Sequence, residues 1–107
     1  MPAIHVEGIP PYKQPPASER EKELQETRLK MLQDEARKVI NQPFKGDVSL
    51  KVRYVRSAGK ADALNILGGI GDALQGIAYE DDRQIRRVEY VEERGERDEY
   101  WVEVEPL

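Results

Sequence analysis

One helical segment with three internal glycines restricts the fold of this chain more than any other feature. From Ala63 to Leu74, apolar residues recur at the spacing of a single helix face, while Asp62 is placed to cap the first turn and Gly76 to end the last. Inside this predicted helix lie Gly68, Gly69 and Gly71. Each costs about 0.8–1 kcal/mol relative to alanine in a helix interior. Their presence predicts a close approach to the helix, either by another backbone, which we favour, or by a ligand.

The rest of the chain supplies strands and one more helix around this segment. A short alternating strand at 4–9 is stopped by a proline-rich connection at 10–17, and a capping box at Ser18 and Glu21 starts a helix that runs to about Ile40. Val48–Arg56 alternates as a half-buried strand, and the segments 84–92 and 99–105 predict two further strands joined as a hairpin. We therefore predict an α/β fold of order β-α-β-α-β-β, a mixed sheet with two helices packed on one face.

Composition limits the classes of function. With 107 residues the chain is expected to form a single domain, 1–107, and without cysteines it has no disulfide framework or thiolate metal site. No apolar run is long enough to span a membrane, so we expect a cytoplasmic protein. A net charge of −4 does not favour DNA as a partner, but basic residues flank the central helix in sequence. They are Lys51, Arg53, Arg56, Lys60, Arg83, Arg86 and Arg87.

Acidic residues at the ends of elements are the candidates for chemistry. Asp62 and Asp72 are ten residues apart, about 15 Å along a helix, so they cannot share one ion. We instead predict that Asp62 and Asp82, with Asp81 nearby, hold a divalent cation such as Mg²⁺, or Mn²⁺, which prefers carboxylate oxygens. Asn65 shares a helix face with Asp72. A purely structural interpretation stays open, in which Asp62 caps the helix, Asp81 and Asp82 form a turn, and Asp72 pairs with an arginine such as Arg83 or Arg86.

The same residues carry a resemblance to a known family. Asp62 and Asn65 at a helix start, then Asp72-Ala73-Leu74, a short loop and Asp81-Asp82-Arg83-Gln84-Ile85 before a strand, resemble the RusA family of Holliday-junction-resolving endodeoxyribonucleases. The strand Val48–Arg56 and the segment from Ile4 to Pro11 extend the resemblance to nearly the whole chain. Two positions differ from the family pattern. Leu64 replaces the second aspartate of Asp-x-Asp-Asn, and Gly68 stands where the family has a lysine.

The resemblance implies a RusA-like fold and a Mg²⁺-dependent endonuclease that cuts branched DNA as a homodimer. It implies that Asp62 and Asp82 hold the metal, with Asp81 near them, and that Asn65 and Asp72 organise the site. Arg56, Lys60 and Arg83 would hold phosphates. The alternative is a catalytically inactive relative that binds DNA or another protein as a dimer, and a third possibility is a structural assembly protein that does neither.

Overall fold

The computed structural model describes residues 2–107 and confirms the predicted α/β order. The elements are β1 (Ile4–Glu7), α1 (Glu19–Val39), β2 (Val48–Arg56), α2 (Ala63–Leu74), a short 3₁₀ turn (Asp82–Gln84), β3 (Ile85–Arg94) and β4 (Glu99–Pro106). Both helices begin at the predicted caps. The Ser18 hydroxyl accepts from the Glu21 backbone N–H at 3.1 Å, and the Asp62 carboxylate accepts from the Asn65 N–H at 2.8 Å.

The four strands form one mixed sheet in the order β1-β4-β2-β3. β2 pairs in parallel with β3, whereas β4 runs antiparallel to both β1 and β2. The predicted hairpin between β3 and β4 is therefore wrong, because β2 lies between them. Residues 95–98 cross the end of β2 instead of making a tight turn, and the Gly95 N–H donates to the Arg56 carbonyl at 3.0 Å. Four extended residues reach about 13 Å, which is enough to step over one strand.

The core lies on one face of this sheet. Alternate residues of β2 and β4 are almost fully buried, as predicted, and they pack with residues of both helices. The opposite sheet face is open and carries exposed charged side chains such as Lys51 and Arg53. Both helices therefore cover the same face, as predicted. The core residues of the two strands are Val48, Leu50, Val52, Tyr54, Tyr100, Val102 and Val104.

Across residues 2–107, the helices are too short or too polar to traverse a lipid bilayer.

Candidate functional site

The beginning of α2 presents polar groups and one exposed apolar side chain. One oxygen of Asp62 caps the first turn, which fixes this carboxylate at the helix end. Asn65 is half-buried in the same turn, and its carbonyl accepts from the Lys13 N–H at 2.8 Å. Leu64 is 81 % exposed, the most exposed of the large apolar side chains within residues 2–107. This first turn is therefore accessible to a large partner.

The other end of α2 carries a second acidic group. Asp72 is exposed in the last turn, and the side-chain oxygen of the C-cap residue Gln75 accepts from the backbone N–H of Asp82 at 3.2 Å. The hydroxyl of Tyr79 donates to the Gly71 carbonyl at 2.6 Å. Burial, followed by the negative charges of Asp82 and Asp72, raises the pKa of Tyr79 above its usual value. Asp72 and Asp82 thus both act on one tyrosine at this end of the helix.

The predicted pair of Asp62 and Asp82 does not come together within one chain. The helix between two parallel strands must return from the carboxyl end of the first to the amino end of the second. Asp62 follows β2 and Asp82 precedes β3, so they lie at opposite ends of α2. This helix has 12 residues and is about 18 Å long. Within residues 2–107, no three acidic or histidine side chains are close enough to form a metal site.

Asp81 has a structural role in the turn before β3. Its carboxylate caps the 3₁₀ turn and accepts from the Arg83 guanidinium at 2.8 Å, while the Gln84 side chain completes a reciprocal capping box. Hydrogen bonds from the side chain and the backbone of Arg83 lower the pKa of Asp81 to about 2. Both oxygens of Asp81 are engaged by Arg83, and Asp82 is left as the exposed acid of the pair.

Two of the three predicted phosphate-binding cations are already paired with acids. Arg56 makes two hydrogen bonds of 2.8 Å to Glu92, and the same guanidinium donates to the Gly59 carbonyl. The first of these interactions raises the pKa of Arg56 above its usual value. Arg83 is bound to Asp81, although 87 % of its side chain is exposed. Lys60 is exposed and has no acidic partner within residues 2–107.

The loop into α2 is held by an acid that no sequence pattern marks as important. The backbone N–H groups of Ser57, Ala58 and Gly59 donate to the carboxylate of Asp98 at 2.8–3.1 Å. The buried Tyr54 hydroxyl donates to the same carboxylate. Asp98 therefore ties the start of β4 to the loop that positions Asp62.

Two of the three glycines of α2, Gly68 and Gly69, accommodate another part of the chain, as we favoured from the sequence, whereas Gly71 meets only the Tyr79 hydroxyl at 3.9 Å. We call residues 11–13 the strap. A Cβ atom at Gly69 would lie 2.5 Å from the Tyr12 Cα and 2.6 Å from the Pro11 carbonyl carbon. No side chain larger than hydrogen fits there. The strap backbone packs directly on this face of the helix.

The strap also brings to α2 a cation that is absent from the predicted site residues. The side chain of Lys13 lies over Gly68, and its Nζ is 3.5 Å from Oδ2 of Asp72. Lys13 is 59 residues before Asp72 and lies in the proline-rich connection, so no local pattern marks it. The predicted pairing of Asp72 with Arg83 or Arg86 is replaced by this contact, because Arg83 binds Asp81 and Arg86 lies 3.7 Å from Asp47.

Comparison with known proteins identifies the family of this chain. No curated protein matches the chain at a significant level. The model of the family described as Endodeoxyribonuclease RusA matches residues 12–105. The match runs from the strap through both helices to β4, and so includes every candidate residue described above. The chain belongs to the RusA endodeoxyribonuclease family.

Proposed function

We propose that this protein is a Mg²⁺-dependent endodeoxyribonuclease that cuts branched DNA as a homodimer. The observation that carries the proposal is the placement of Asp62, Asp72 and Asp82, all three exposed along α2 and the turn that follows it, in a chain of this family. Carboxylates held on a rigid helix and accessible to a large substrate are suited to metal-assisted hydrolysis of a phosphodiester.

The donor atoms fit a hard divalent cation. Mg²⁺ binds oxygen ligands, commonly uses only one or two protein carboxylates and keeps several waters, and Mn²⁺ accepts the same ligands. We assign Asp62 and Asp82 as its ligands, with Asn65 and Asp72 beside them to orient water and substrate. When bound, the ion would polarise the scissile phosphate and make the attacking water more acidic. Asp81 is left out of this set because Arg83 engages both of its oxygens.

A dimer resolves the separation of Asp62 and Asp82 at opposite ends of α2. If two copies of α2 lie antiparallel across a twofold axis, Asp62 of one copy approaches Asp82 of the other. The 81 % exposed Leu64 would then be covered by the second copy. Twofold symmetry produces two equal sites, which suits two incisions in a branched DNA. Lys60 is exposed beside Asp62 and would contact the backbone of the DNA.

Cleavage of a synthetic four-way DNA junction tests the function. With Mg²⁺ or Mn²⁺ we expect cutting by the wild-type protein, and the single variants Asp62→Asn and Asp82→Asn should each lose about 100-fold or more in rate. Unchanged cutting by both variants would remove these residues from the mechanism.

Mixed dimers test the shared site. Chains carrying Asp62→Asn and chains carrying Asp82→Asn are coexpressed with different affinity tags, and the mixed dimer is purified. If each site uses Asp62 from one copy and Asp82 from the other, one site of the mixed dimer is intact, and the other has lost both acids. We therefore expect recovery of single-strand nicking. Sites formed within one chain would each carry one defect, and the mixed dimer would stay inactive.

A second function is favoured by one observation. Leu64 is exposed at the surface and occupies the position of a family aspartate, so one acid of the family pattern is missing. The alternative is therefore a dimer that binds junctions or another protein without cutting. A salt series separates the two functions. A DNA binder shows affinity that falls steeply with salt and yields no products with either metal.

A further inference from the structure

The strap is fixed to α2 by its backbone. Its Lys13 N–H donates to the Asn65 carbonyl at 2.8 Å, and Pro11 and Tyr12 cover Gly69. Pro11 is buried, whereas Lys13 is exposed. The strap therefore reaches the surface at Lys13, directly beside the polar face of the helix.

The side chain of Lys13 is directed along α2 towards its acidic end. A Cβ at Gly68 would lie 3.3 Å from Cβ and 3.4 Å from Cδ of Lys13, so the aliphatic part of the lysine packs over this glycine. The ammonium group then contacts Asp72, but both side chains remain open to solvent, 69 % for Lys13 and 49 % for Asp72. A surface ion pair of this kind contributes about 0–1 kcal/mol. Asp72 orients the ammonium group without removing it from solvent.

Carboxylates repel phosphates, so a protein cation beside the acids of α2 would favour DNA binding there, in addition to the proposed metal ion. The helix itself has none, since no basic residue occurs between Ala63 and Leu74. Arg56 is bound to Glu92 with only 11 % of its side chain exposed, and Arg83, in the turn after the helix, donates to both carboxylate oxygens of Asp81. Lys60 is exposed, but it lies beside Asp62 at the other end of the helix. Within residues 2–107, Lys13 is the cation that forms an ion pair with an acid of α2.

We propose that Lys13 is a phosphate-binding residue of this site, which holds a DNA phosphodiester beside Asp72 and Asp82. This inference rests on the proposed action on DNA and adds a residue from a distant part of the chain. Gly68 is needed because the absent side chain leaves the space that Lys13 occupies. The role is binding and positioning of the substrate, and Lys13 does not take part in bond breaking.

The salt dependence of junction binding, measured in EDTA to prevent cutting, tests this role. The slope of log affinity against log salt concentration should become shallower by about 0.9 for each phosphate that the protein no longer binds. A dimer has two such lysines, so Lys13→Gln should make the slope shallower by about 1.8. Lys13, Lys22 and Asp72 line one groove between the strap, α1 and α2. The matched control is Lys22→Gln, since Lys22 lies in this groove but forms no ion pair with an acid of α2. This control should keep the wild-type slope.

A relocated lysine provides the second measurement. In the double variant Lys13→Ala with Gly68→Lys, the ammonium group returns to the same helix face from α2 itself. Only the Cβ of residue 13 remains close to the new side chain, at 3.3 Å, so a small shift accommodates it. We expect the slope and the affinity to return towards wild type, while Lys13→Ala alone stays weak.

The possible outcomes separate this proposal from the proposed function. If the wild type cuts the junction and Lys13→Gln leaves the salt slope unchanged, the role of Lys13 is overturned and the proposed nuclease function is kept. If the wild type binds without cutting and Lys13→Gln has a shallower slope, the phosphate contact is supported and the proposed hydrolysis is overturned. A wild type that binds no junction overturns both.

Discussion

Replacing Gly69 with alanine should destabilise the protein by about 2–3 kcal/mol, the cost of adding a methyl group where no space exists. The new Cβ would lie 2.5–2.6 Å from backbone atoms of Pro11 and Tyr12, which cannot rotate away as a side chain can. The strap must therefore leave the helix. Urea unfolding of the variant measures the decrease in stability, and junction binding should also fall because Lys13 loses its anchor.

Gly71→Ala is the matched control in the same helix. A Cβ at Gly71 meets only the Tyr79 hydroxyl at 3.9 Å, which is an ordinary contact. Since alanine favours a helix interior over glycine by about 0.8–1 kcal/mol, this variant should be more stable than the wild type. Equal behaviour of the two variants would show that the strap does not pack on α2.

Replacing Asp98 with alanine should cost about 3–4 kcal/mol. The change removes the acceptor of the N–H groups of Ser57, Ala58 and Gly59. It also leaves the buried hydroxyl of Tyr54 without a partner. Each unsatisfied buried group costs about 1–3 kcal/mol, less where water reaches it. The loop before α2 should loosen, and hydrogen exchange at these three amides should rise. Tyr54→Phe is the control, as it removes one donor but keeps the loop contacts.

Asp98 also predicts a dependence of stability on pH. Burial opposes its ionisation, but hydrogen bonds from Tyr54 and from the loop amides lower the pKa of this carboxyl to about 2. In the unfolded chain an aspartate has a pKa of about 3.9. The stabilisation from Asp98 is thus complete well above about pH 4 and is lost as the pH falls towards about 2. The difference in unfolding free energy between the wild type and Asp98→Asn should shrink over that range. A constant difference would contradict the assignment.

Local patterns predicted most of the fold. Helix caps at Ser18 and Asp62, the alternation along β2 and the breaking of the chain at the prolines depend only on neighbouring residues, and all are found in the structure. The hairpin prediction was wrong because it, too, depended only on neighbouring residues. Two strands four residues apart fit a turn and a crossing equally well. In the structure Gly95 binds the last residue of β2 and Asp98 binds the loop that follows it, and no local pattern contains these contacts.

The candidate site was predicted less completely. The acids of α2 could be selected from their positions at element ends, and Gly68 and Gly69 correctly indicated a close approach, whereas Gly71 did not. The identity of the approaching segment could not be predicted, because Pro11 and Gly69 are 58 residues apart and their contact is set by how the whole sheet folds. The separation of Asp62 from Asp82 follows from β2 and β3 being parallel, because α2 then runs from the carboxyl end of one strand to the amino end of the other.

The place of β4 in the sheet has a consequence for how the protein folds during synthesis. β1 pairs with β4 alone among the described strands, so that Ile4 must wait for Val102. During synthesis, β1, the strap and both helices therefore emerge from the ribosome before β4, the strand with which β1 pairs. Contacts between such distant residues form slowly. Until β4 emerges, the edge of β2 with which it will pair stays open, beside the apolar face of that strand. Chaperones, or other unfinished copies, can bind there.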